Sequence, residues 1–63
     1  MDSSEAQRVI LQNHGVRVEA HTASYAAERL KNSEPFHVMG GDARTGIPVS
    51  IQIDPKKLDT KKS

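Results

Sequence analysis

A chain of 63 residues with nine lysines and arginines against eight aspartates and glutamates carries a formal charge of +1. That length allows one hydrophobic core, and that charge argues against a protein built chiefly to coat nucleic acid. With no cysteine, disulfides and a thiolate zinc site are excluded, and a partner chain is the natural remaining aid for a domain that buries only about 60% of its unfolded surface.

The opening Met1-Asp2-Ser3-Ser4-Glu5 has no basic region followed by an apolar run, and no stretch approaches the ~20 apolar residues that span a bilayer. A soluble, cytoplasmic protein without membrane contact is expected. No cofactor motif is present, and no cofactor is expected.

Ser4 with Gln7 reads as a capping box, Ala6, Val9, Ile10 and Leu11 supply an apolar side, and Gly15 supplies a left-handed cap. The first helix is placed at roughly residues 5–14. From Val16 the period changes to two, with Val16, Val18 and Ala20 inward and Arg17, Glu19 and His21 outward. A strand from Val16 to His21 follows.

Thr22 is a good N-cap, and Ala23, Ala26, Ala27 and Leu30 form a stripe at helical spacing. Small side chains on that stripe let a helix lie close on its neighbours. Pro35 stops the helix, so Phe36 to Met39 reads as a strand that ends at Gly40 and Gly41. A polar loop to Gly46 leads into a last strand with Ile47, Val49, Ile51 and Ile53 inward. Asp54-Pro55 then resembles the start of one helical turn over Lys56-Lys57-Leu58.

The predicted fold class is α+β, a small two-layer α/β sandwich of order α-β-α-β-β with two helices on one face of a three-stranded sheet. A right-handed crossover would make strands one and two parallel, and the apolar third strand favours the sheet order 1-3-2. Pro48 is the objection, because proline is better placed on an edge; the order 1-2-3 is the alternative. Residues 1–58 are read as one domain and 59–63 as a flexible basic tail.

The uncovered sheet face would then show Arg17, Glu19, His21, His37, Met39, Pro48, Ser50 and Gln52. It is either a solvated face with cross-strand polar pairs or a binding surface. The glycine-rich loop with Arg44 has backbone N–H groups that can cradle an anion, and Lys56 and Lys57 begin a basic end that can touch phosphates. The same loop composition also serves as a plain turn. His14, His21 and His37 match no metal-ligand spacing, so no metal site is assigned.

Three functions fit these residues. The first is a non-enzymatic regulatory or adaptor protein that binds a larger protein partner, as a monomer or as a homodimer paired through the edge of strand one. The second is a nucleic-acid-binding regulator using Arg17, Arg44 and the lysine tail. The third is a small ribonuclease with His21 and His37 as acid and base.

Overall fold

A computed structural model describes residues 1–58, and the basic tail expected over 59–63 lies outside them. Helix α1 (Ser3–His14) begins two residues earlier than the capping-box reading, because the Asp2 carboxylate, not Ser4, accepts the Glu5 N–H at 2.9 Å. A carboxylate at a helix start also complements the dipole. Gly15 ends the helix as its sequence implies, at φ 66° with its N–H on the Leu11 carbonyl.

Strand β1 is only Val16–Arg17, not the six-residue strand expected to reach His21. Gln7, freed from capping, donates Nε2–H to the Val18 carbonyl at 2.9 Å. That bond ties the backbone at Val18 to α1. The chain then enters α2 (Ala20–Lys31) with Glu19 rather than Thr22 as N-cap, so Glu19 and His21 belong to a helix start and not to a strand.

Strand β2 (Phe36–Asp42) runs through the two glycines instead of stopping at them, and β3 is Pro48–Ile53. The sheet order is β1-β2-β3 with both pairs antiparallel. The favoured order 1-3-2 and the parallel crossover are therefore corrected. Two residues of β1 make no crossover: α2 carries the chain on from them, and β2 brings it back so that its last residues meet β1.

Pro48 explains the placement of β3. The Asp42 N–H donates to the Ile47 carbonyl at 2.9 Å. Alternation in an antiparallel ladder then turns Val49, Ile51 and Ile53 toward β2 and points the backbone of Pro48, Ser50 and Gln52 to the free edge. A residue without an N–H sits on the side where no donor is needed.

The core joins Ala6, Val9 and Ile10 of α1, Ala23, Ala26 and Ala27 of α2, and Val16, Val18, Phe36, Val38 and Ile53 below them. Alanines at the helix–helix contact let α1 and α2 pack closely over one sheet face. Leu30, Val49, Ile51 and Leu58 are only half-buried at its margin. Ile47, expected inward, is 61% exposed because it precedes β3 in the loop. Among the described residues no helix is long and apolar enough to cross a membrane.

Candidate functional site

With both helices on one face, the other face of the sheet is open. The register sets its side chains in three rows: His37 opposite Gln52, Met39 opposite Ser50, and Arg17, Gly41 and Pro48 side by side. His37, Met39, Pro48, Ser50, Gln52 and Arg17 are all exposed. Arg17 and Glu19 cannot form cross-strand pairs with Ser50 and Gln52, because β2 lies between β1 and β3.

Met39 is the largest apolar group on this face, 66% exposed at the middle of the central strand. Next to it a cleft of about 330 Å³ has Arg17, Glu19, Met39, Gly40, Gly41 and Pro48 in its lining. The glycines at its floor have opposite reasons to be glycine. A Cβ on Gly40 would collide with the Arg17 carbonyl and stand 2.7 Å from Val16 Cγ1, so β1 needs that position bare. A Cβ on Gly41 would meet nothing closer than the Gly46 carbonyl at 3.8 Å. Gly41 leaves a gap in the open face that packing does not require.

Glu19 and His21 stand beside this cleft at the start of α2, with His21 Nε2 3.4 Å from Glu19 Oε1 and both side chains about four-fifths exposed. Such a solvated pair fixes little. His37 sits at the other end of β2, in the row of Gln52. The two histidines share neither an element nor a cross-strand row, and the cleft is lined by neither.

The loop after β2 closes on itself. Asp42 Oδ1 accepts the N–H groups of Arg44 at 2.8 Å and Thr45 at 3.0 Å, and the Asp42 carbonyl accepts Gly46 N–H at 2.7 Å. Ala43 N–H goes to the Gly15 carbonyl and Ile47 N–H to Thr45 Oγ1. The donors expected to cradle an external anion are thus already bonded, two of them to a carboxylate of the chain itself. The N–H bonds from Arg44 and Thr45 hold the Asp42 carboxyl below its ordinary pKa. Arg44 itself points into solvent from the loop.

Lys56 and Lys57 follow β3 in a turn capped by Asp54, whose Oδ1 accepts Lys56 N–H at 3.0 Å and whose carbonyl accepts Lys57 N–H at 2.9 Å. The turn matches the proline-led start read from the sequence. Lys57 and Gln52 share a small depression of about 180 Å³ with Asn13, His14, Asp54 and Leu58. Arg44 and the lysines lie beyond opposite ends of β3, a strand that spans roughly 17 Å at about 3.4 Å per residue. They do not form one basic stripe.

Among the described residues, no three histidine or acidic side chains converge as metal ligands. The sequence reading placed Met39 on the open face but not the bare position beside it; only the pairing register distinguishes Gly41 from Gly40. Comparison with protein-family models, with curated proteins and with solved structures finds no match to this chain.

Proposed function

We propose that this chain is a small non-enzymatic regulatory or adaptor protein that works in the cytoplasm by binding a larger protein partner through the open face of its sheet. One observation carries the reading: Met39, two-thirds exposed at the centre of the sheet, borders a cleft floored by a glycine whose Cβ the fold has room for. An exposed flexible thioether beside an unfilled gap suits an inserted apolar side chain. Arg17 and Glu19 at the rim offer one charge of each sign to fix orientation.

The dispersion of Arg17, Arg44, Lys56 and Lys57 weighs against nucleic acid, which favours a continuous basic track. The separation of His21 from His37 weighs against acid–base cleavage of RNA, which needs both groups at one phosphate. Affinity capture from the native host at low and at several-fold higher salt, with and without nuclease, tests the reading. Retention of a protein by the wild-type chain, insensitive to salt and nuclease and lost with Met39→Lys, is expected. Retained nucleic acid that falls away steeply with salt would replace it with the phosphate-binding alternative.

A further inference from the structure

The free edge of β3 has a self-complementary pattern. Its outward backbone groups are the carbonyl of Pro48 and both the N–H and C=O of Ser50 and Gln52, an assignment fixed by the Asp42-to-Ile47 bond and the β2–β3 register. The segment Ile47–Ile53 has no charged residue to guard that edge. The two-residue β1, by contrast, is too short to serve as the dimer edge expected from the sequence.

We infer that β3 pairs antiparallel with β3 of a second copy of this chain, on a two-fold axis through Ile51, so that Ser50 of each copy bonds Gln52 of the other. This inference goes beyond the binding of a larger partner and stands independently of it. The occupant and the register follow from the chain's own hydrogen-bonding inventory. A register that sets Pro48 against Ser50 or Gln52 leaves their carbonyls facing a residue without an N–H. One that sets Ser50 against Asp54 asks for a carbonyl that Lys57 N–H already occupies. With Ile51 on the axis, all four groups of Ser50 and Gln52 in each copy are paired. Pro48 then falls opposite Asp54, whose carbonyl needs no further donor.

The side chains agree with this register. Ile51 meets its symmetry mate as a close, non-hydrogen-bonded pair, and Val49 faces Ile53 of the other copy. Ile51 and Val49 are the inward residues of β3 that the two helices leave half-buried, so pairing covers apolar surface that one chain cannot. Strand order becomes 1-2-3-3-2-1, and the two open faces join into one. A formal charge of +1 per chain opposes that union weakly.

Single cysteines test the axis without ambiguity, because the chain has none of its own. Under mild oxidation Ile51→Cys is expected to form a disulfide-linked dimer at least ten-fold faster than Val49→Cys or Ser50→Cys, since only position 51 meets itself at the Cα spacing of a close antiparallel pair. Sedimentation equilibrium of the unmodified chain from micromolar to millimolar concentration is expected to show two-chain mass. Ser50→Pro, which removes an outward N–H and no bond within the chain, is expected to return one-chain mass with a wild-type circular dichroism spectrum. One-chain mass for the unmodified protein at every concentration, or equal cross-linking at all three positions, would overturn the proposal.

Discussion

Gly40 lies directly against the Arg17 carbonyl, so close that no side chain fits between β2 and the departing end of β1. Its neighbour Gly41 has open space where a Cβ would stand. Gly40→Ala should therefore lower the unfolding free energy, read from denaturant titration, by about 1–3 kcal/mol in the manner of an overpacked core. Gly41→Ala should leave it within about 0.5 kcal/mol. Equal effects at the two positions would mean that β1 does not cross β2 at Gly40.

Core depth along the last strand gives a second contrast. Ile53 is fully buried whereas Ile47 is 61% exposed, although strict alternation gives both the same inward direction. Ile53→Ala is expected to cost about 2–5 kcal/mol and Ile47→Ala less than about 0.5 kcal/mol in urea unfolding. A large loss at Ile47 would return it to the sheet.

The second helix closes with Ser33 at φ 57°, its N–H on the Leu30 carbonyl and the Glu34 N–H on Arg29. This is a Schellman ending with serine where glycine is favoured. Ser33→Gly should raise stability by about 0.5–1 kcal/mol, because a Cβ is strained in the left-handed region. A thermal melt shows this as a rise in midpoint; a fall would mean that Ser33 makes a native contact of greater weight.

Asp42 links the loop to acid stability. Its carboxyl is held below its ordinary pKa in the folded chain by the Arg44 and Thr45 N–H groups. The contribution is therefore complete above the unfolded carboxylate pKa and is lost as pH falls through the lower folded value. Asp42→Asn retains an oxygen acceptor but cannot ionise. The stability gap between wild type and this variant should be present at neutral pH and close in acid. A gap constant across that range would detach the Asp42 charge from the fold.

Much of this architecture is legible in the residues. The alanine stripe at 23, 26 and 27, the Gly15 cap and the inward phase of Phe36, Val38 and Ile53 follow from periodicity and conformational preference, and each is found so. The misread features depend on contacts distant in sequence. Gln7 fits a local capping box equally well, yet it bonds Val18 eleven residues away. Gly40 looks like a turn residue beside Gly41, but its bareness serves a strand that arrives from residue 17. Pro48 was the local signal of the true sheet order, since only an edge strand leaves its missing N–H without consequence. On the open face, Arg17, His37, Met39, Ser50 and Gln52 follow from alternation, whereas the withdrawal of Glu19 and His21 into α2 depends on the early end of β1.

The claim that the open sheet face receives a protein partner is tested most directly at Gly41, which lines the cleft and where a Cβ meets nothing closer than the Gly46 carbonyl at 3.8 Å. The measurement is the binding isotherm of the partner retained by the wild-type chain, titrated with wild type and with Gly41→Val, alongside the melting curve of each. The account predicts matching melts and binding at least ten-fold weaker for the variant, a loss of about 1.4 kcal/mol or more. Equal affinity for both chains would contradict it, because the partner would then be held by some other surface.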